Sequence, residues 1–171
     1  IDGTAARIAV DNFGFPWVVK STGEILRRNG RTWITLPGTA TDIDIGDNGD
    51  VWIVGRDGWL RHWGGEGWID DVKTDAMRVA VNGNGVPWIM TRKGQLLIAD
   101  FAGKFSGAAK AVATGSDGSM WLIAPDLSIF RWTSETKWKQ EIKGKFAEIS
   151  VAPGGKLYAV DASGNIYHSN Q

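Results

Sequence analysis

The stretch Asp42-Ile-Asp-Ile-Gly-Asp-Asn-Gly-Asp-Val-Trp-Ile-Val-Gly-Arg-Asp-Gly-Trp-Leu60 decides the fold. Ile43 and Ile45 alternate with acidic residues, the period-two pattern of a short strand with one buried face. Asp47-Asn48-Gly49 reads as a turn, in which glycine supplies a positive φ and an Asp or Asn side chain caps the backbone. Val51-Trp52 opens a second strand, Gly58 marks a second tight turn, and Leu60 leads a third strand.

The same order recurs along the chain. Gly14-Phe15-Pro16-Trp17, Gly49-Asp50-Val51-Trp52, Gly85-Val86-Pro87-Trp88, Gly118-Ser119-Met120-Trp121 and Gly155-Lys156-Leu157-Tyr158 are five copies of one Gly-x-x-aromatic unit, separated by 35, 36, 33 and 37 residues. Before each lies an alternating pair: Ile8 and Val10, Ile43 and Ile45, Val79 and Val81, Val112 and Thr114, Ile149 and Val151. After each come Gly23, Gly58, Gly94, Leu127 and Gly164 at the second turn, then Ile25, Leu60, Leu96, Ile129 and Ile166 in a third strand. Trp33, Trp68, Phe105 and Trp138 mark a fourth. Four short strands per unit, with no helical periodicity, form an antiparallel meander. One such sheet cannot bury both faces, whereas radial repetition packs each against its neighbours. The expectation is an all-β, five-bladed β-propeller of about 35-residue repeats. It occupies residues 1–171 as one domain, with repeats at about 4–38, 39–72, 73–107, 108–142 and 143–171. The fifth repeat ends after its third strand, so the last blade is expected to lack an outer strand. Ile1-Asp2-Gly3 aligns with the end of a fourth strand, Leu36-Pro37-Gly38, and supplies a stub at most; a neighbouring chain or a removed segment is the other source.

The bulk numbers agree with one folded domain. Of 171 residues, 43% are hydrophobic and 22% charged, too apolar for a disordered chain. The 10 Trp and 23 Gly follow from the repeat, the glycines at turns and the aromatics in the wedges between blades, where each buries about 150–250 Å². Lys plus Arg and Asp plus Glu each number 19, with no run of like charge, which argues against nucleic acid as a partner. No apolar stretch approaches the roughly 20 residues of a membrane-spanning helix. No signal peptide is read, and the start at Ile1 without Met reads as a processed form or an excised domain. Without cysteine, disulfides and thiolate zinc sites are excluded.

The stretch Trp33-Ile-Thr-Leu-Pro-Gly-Thr-Ala-Thr-Asp-Ile-Asp-Ile-Gly-Asp-Asn-Gly-Asp-Val-Trp52 resembles the tectonin repeat, which runs from a Trp through Leu-Pro-Gly to an Ile-x-Val-Gly strand, an Asp/Gly turn and a Val-Trp strand. The other repeats keep the turn glycine and the aromatic and lose parts of the pattern: Phe105 and Tyr158 stand where Trp is usual. The resemblance covers essentially the whole chain. Tectonins, tachylectin-1-like proteins and fish egg lectins are propellers that bind lipopolysaccharide or glycans. A non-catalytic, lectin-like propeller with several weak sites around the ring is therefore implied, facing a cell surface or lying outside the cell. Several millimolar sites, about −4 kcal/mol each, gain orders of magnitude when they engage one polymeric surface together. The alternative is a protein-interaction propeller, one domain of a larger effector, immunity or scaffold protein.

A sugar site pairs an aromatic platform with a few amide, carboxylate or Arg partners. Seven tryptophans occupy repeat positions and are assigned to packing; Trp59, Trp63 and Trp132 remain. Trp59 stands where other repeats carry Glu24, Gln95, Ser128 and Asn165, so it is expected to be exposed. Trp63 and Trp132 share a column with Arg28, Ala99 and Ser169, a position that tolerates polarity, and packing at the rim is their other reading. Arg56 and Arg61 lie near Trp59, and Arg131 beside Trp132; a guanidinium binds carboxylate or phosphate bidentately, or simply keeps the surface solvated. These six residues form the expected ligand-binding set. No cofactor is implied. His62 and His168 share a column but read as structural or solvated rather than as metal ligands, and the turn residues Asp11, Asp47 and Asp117 as caps rather than calcium ligands. No Ser-His-Asp spacing or phosphate-cradling loop appears, and Gly83-Asn84-Gly85 sits between strands rather than before a helix.

Overall fold

The computed structural model describes residues 4–98, 101–133, 137–152 and 154–169, and every regular element in them is a strand. The first blade comprises β1 (Arg7–Val10), β2 (Pro16–Val19), β3 (Glu24–Asn29) and the first half of β4 (Thr32–Ile45). The second half of β4 begins the second blade and pairs through Ala40–Ile45 with β5 (Val51–Gly55), followed by β6 (Trp59–Trp63) and β7 (Trp68–Lys73). β4 thus serves two blades. Gly38, at φ +83°, lies where its pairing passes from β3 toward β5.

The third blade is β8 (Ala76–Val81), β9 (Pro87–Thr91), β10 (Gln95–Ile98) and β11 (Phe101–Ala108); the fourth is β12 (Ala111–Thr114), β13 (Met120–Ile123), β14 (Ile129–Thr133) and β15 (Lys137–Ile142). The last sheet holds three strands, β16 (Phe146–Val151), β17 (Leu157–Asp161) and β18 (Ile166–His168). All pairs are antiparallel, as the meander reading requires. Ile1-Asp2-Gly3, the expected stub of an outer strand, lie outside the described residues.

The turns follow the side-chain logic of the repeat. Asp11 Oδ1 accepts the amides of Phe13 and Phe15 at 3.0 and 2.9 Å, Asn82 Oδ1 those of Asn84 and Val86, and Asp117 Oδ1 that of Ser119. At the corresponding turn of the second blade the cap is Asn48, whose Oδ1 accepts the Asp50 amide, rather than Asp47. At the second turn Gly23, Gly58, Gly94 and Gly164 all have φ between +77° and +91°. Leu127 takes the same left-handed conformation at φ +69° and packs against the core of the fourth and fifth blades.

Each blade has two different faces. Its trailing face carries the repeat aromatic: in the first blade Ala9, Trp17, Val19 and Ile25 pack on Ile43, Ile45, Val51 and Ile53, the leading face of the second. The same pairing of columns joins the second blade to the third, the third to the fourth and the fourth to the fifth. Large aliphatic side chains such as Ile25, Leu60 and Ile129 are removed from water, each stabilising the fold by about 1.5–3 kcal/mol. The inner strands β1, β4, β8, β12 and β16 line a central channel of about 420 Å³.

Candidate functional site

Alternation along β14 sends Arg131 and Trp132 to opposite faces of the fourth blade. Arg131 lies over the ring of Trp121 on the trailing face, 5.2 Å from its centroid. Trp132 points the other way and meets Trp88 of the third blade edge-to-face at 5.8 Å. The second blade repeats the arrangement: Trp63 meets Trp17 of the first blade at 6.1 Å and 71°, and Trp68 at 4.9 Å. Both tryptophans are half-buried against the core, so the packing reading describes them and an open sugar platform does not. Trp59 is also half-buried rather than exposed; it faces Lys73 across the β6–β7 ladder.

In the fifth blade the wedge-filling column holds Ser169, whose Oγ accepts the Leu157 amide at 3.1 Å. A serine cannot span to the preceding blade as Trp63 and Trp132 do. The wedge between the fourth and fifth blades therefore stays open as a cleft of about 290 Å³, lined by Trp121, Arg131, Glu141, Ile142, His168 and Ser169.

The Trp121 indole N–H is buried there without a hydrogen-bond partner. Its counterpart in Trp17 donates to Asp11 Oδ2 at 3.2 Å; in the fourth blade that acceptor position is Gly115. A Cβ at Gly115 would collide with Asp117, Ser119 and Val151, so close packing fixes the glycine and leaves the indole unanswered. Trp52, opposite Gly46, has the same orphaned N–H. Leaving such a donor unpaired costs about 1–3 kcal/mol. The cleft combines a guanidinium, a carboxylate and a hydroxyl with the apolar side chain of Ile142, the mixture that a polyol ring requires.

A tectonin domain profile matches residues 4–171. The chain belongs to the tectonin family.

Similar solved structures place this tectonin domain among larger propeller folds. YCF48 bound to D1 peptide superposes with a TM-score of 0.68 at 17% identity, over 96% of this chain and 64% of that one. A catalytically inactive virginiamycin B lyase from Staphylococcus aureus with quinupristin gives 0.67 at 15%, over 96% and 69%; a gluconolactonase from Xanthomonas campestris gives 0.70 at 10%, over 94% and 70%. The tectonin domain spans just under two thirds of the YCF48 chain. At these identities the likeness concerns the fold alone. A search of curated proteins gave no match.

Two further expected residues of the tectonin domain, Arg56 and Arg61, meet in another cleft, of about 680 Å³, with Asp57, Pro37 and Trp68. Arg56 Nη2 donates to the Ser21 carbonyl of the first blade at 2.7 Å, tying two blades together. Arg61 is held in a clamp. Its Nη1 and Nη2 donate to the Asp57 carboxylate at 2.9 and 2.6 Å, and its Nε to Asp70 at 2.5 Å. The hydrogen bond from Arg61 pulls the Asp57 carboxyl down to about 2. Most donors of Arg61 are thus already engaged. Arg131 is therefore the expected cation that lines the cleft between the fourth and fifth blades.

The channel holds two carboxylates that the sequence reading passed over. Asp42 Oδ2 accepts the Val79 amide at 2.9 Å and lies 3.0 Å from Arg7 Nε. Burial pushes its carboxyl up, outweighing the Val79 amide and the Arg78 and Arg7 charges. Asp44 Oδ2 accepts the Val81 amide at 2.7 Å, and burial raises its carboxyl to about 7. The signal was present: Asp44 stands where the other repeats carry Ala9, Ala80, Ala113 and Ser150.

Proposed function

We propose that the chain is a non-catalytic glycan-binding module whose principal site is the cleft between the fourth and fifth blades. The observation that carries this reading is the open wedge at Ser169, where Arg131 and Glu141 line one cleft with Trp121. Glu141 accepts from vicinal hydroxyls, and Arg131 recognises an anionic substituent such as a uronate or phosphate. Lipopolysaccharide carries both kinds of group. Membership in the tectonin family supports the lectin-like reading at the level of the family.

The experiment is binding of labelled protein to an array of glycans and lipopolysaccharides, with Arg131→Ala alongside the wild type. Signal that is lost in the folded variant supports the proposal; signal retained in the variant moves the site elsewhere, and an array silent for both overturns the glycan reading. The second reading is a protein-interaction module, and the exposed Ile8, Val10 and Phe13 of the first blade favour it. YCF48, a structural likeness, is described as bound to a peptide.

A further inference from the structure

Opposite charges occupy the two ends of the central channel. Near the start of the inner strands, Arg7, Asp42 and Arg78 hold one repeat position in the first three blades. Asp42 Oδ1 is bracketed by two guanidinium groups, with Arg7 Nε at 3.0 Å and Arg78 Nη1 at 3.7 Å, while Oδ2 accepts the Val79 amide. Two cations on one carboxylate leave a net positive charge. At 3.7 Å the Arg78 contact is too long for a hydrogen bond, and the Arg78 side chain makes none among the described residues, so its N–H donors are unspent. Both arginines line the channel, with side chains 36% and 33% exposed. Toward the turn end the sign reverses. Asp44 stands two residues beyond Asp42 on β4, about 7 Å along a strand, and Asp47 follows in the turn; both line the channel. Asn48 caps that turn, which leaves the Asp47 carboxylate without a hydrogen bond among the described residues. Beyond the effect of burial, the charges of Asp42 and Asp47 raise the Asp44 carboxyl, a repulsion that a cation between them relieves.

We infer that the channel binds a small zwitterion, with its oxyanion on Arg78 and Arg7 and its ammonium on Asp44 and Asp47. The cavity of about 420 Å³ has the size of a small-molecule site, and Ser116 and Ser150 line it as further hydrogen-bonding groups. A plain anion meets three carboxylates in this channel and a plain cation meets two guanidinium groups, so a ligand carrying both charges fits best. A guanidinium accepts a phosphate or a carboxylate in the same fork, and the two sources of the oxyanion are separated by experiment. All five charged residues belong to the first three blades, so the site is distinct from the cleft between the fourth and fifth.

The test is isothermal titration calorimetry on the whole chain, at low salt in a phosphate-free buffer. The probes are O-phosphoethanolamine and γ-aminobutyrate, with inorganic phosphate and ethanolamine as the separate halves. At least one zwitterion should bind about tenfold or more tighter than phosphate or ethanolamine alone, and which of the two binds identifies the oxyanion. Arg78→Ala and Asp47→Asn should each weaken that binding by about tenfold or more. Neither side chain makes a hydrogen bond among the described residues, so the melting temperature should hold; if Arg78→Ala melts lower, Asp47→Asn in its exposed turn remains the test. Absence of binding by both zwitterions at concentrations up to about 10 mM overturns the inference. So does inorganic phosphate that binds as tightly as the zwitterions, or zwitterion binding that survives both substitutions. Arg131→Ala, the variant that tests the glycan cleft, should leave zwitterion binding unchanged, so the two proposals stand or fall separately.

Discussion

The Asp44 carboxylate in the second blade accepts a hydrogen bond from the backbone N–H of Val81 in the third, at 2.7 Å. Its neighbour Asp42 does the same for Val79, and the Thr114 hydroxyl donates to the Val81 carbonyl from the fourth blade. Apolar faces hold the blades together, while these polar links fix the relative height of their inner strands along the channel.

Burial raises the Asp44 pKa from 3.8 to about 7, so folding favours its protonated form. The contribution is full below pH 4, falls as pH rises toward 7 and is lost above it. At about 1.36 kcal/mol per pKa unit the effect is at most about 4 kcal/mol, and less because Asp44 keeps some surface toward the channel. The melting temperature of the wild type therefore falls between pH 5 and pH 8. Asp44→Asn, which keeps the acceptor for Val81, flattens that slope; an unchanged slope in the variant would assign the dependence to another group.

Replacing Trp63 with Ala removes its edge-to-face contacts with Trp17 and Trp68 and opens the wedge between the first two blades. A loss of about 3 kcal/mol is expected, toward the low end for aromatic truncation because Trp63 is only half-buried. Urea unfolding measures it. Glycan binding at the distant cleft stays at the wild-type level, whereas Arg131→Ala has the opposite profile, little change in stability and loss of binding.

Two glycines separate backbone strain from steric collision. Gly118 and Gly58 have φ of +77° and +83°, so an alanine at either pays about 1–2 kcal/mol for the left-handed conformation. A Cβ at Gly118 meets nothing within 4 Å, but at Gly58 it lies 2.8 Å from the Thr74 carbonyl oxygen. Gly58→Ala is therefore the more destabilising of the two by thermal melting, and equal shifts would show that the backbone at Thr74, just after β7, yields to the added methyl.

The repeat was legible because it is written in residue types placed at fixed positions: glycine at positive φ, alternating aliphatics, and an aromatic three residues after the turn glycine of each blade. What the sequence concealed was direction. Trp132 and Arg131 are adjacent in sequence, and grouping them as one site ignored the pleat that sends them to different wedges. Surplus aromatics drew attention to positions that are half-buried in packing, whereas the candidate cleft lies where the same column holds a serine. Ser169 was visible as one of three members of that column, with Arg28 and Ala99, that are not tryptophan, but its consequence depends on Trp121 and Arg131 lying across the wedge. The interlocking of Asp42 and Asp44 with the next blade is a long-range relationship that local patterning does not encode.

If Ser169 leaves the cleft open, a tryptophan there should close it. Ser169→Trp places in the fifth blade the side chain that Trp63 and Trp132 supply in the second and fourth. Packing about 100 Å² of additional apolar surface against the Trp121 side of the wedge gains about 2.5 kcal/mol. Loss of the Ser169 Oγ bond to the Leu157 amide offsets about 1 kcal/mol of it. The variant should therefore melt higher than the wild type and bind no glycan, a combination that neither a misfolded protein nor a merely weakened ligand contact produces. A stabilised variant that still binds places the ligand in another cleft. A destabilised one means that the wedge at the fifth blade is too narrow for the ring, and that its opening is not set by residue 169 alone.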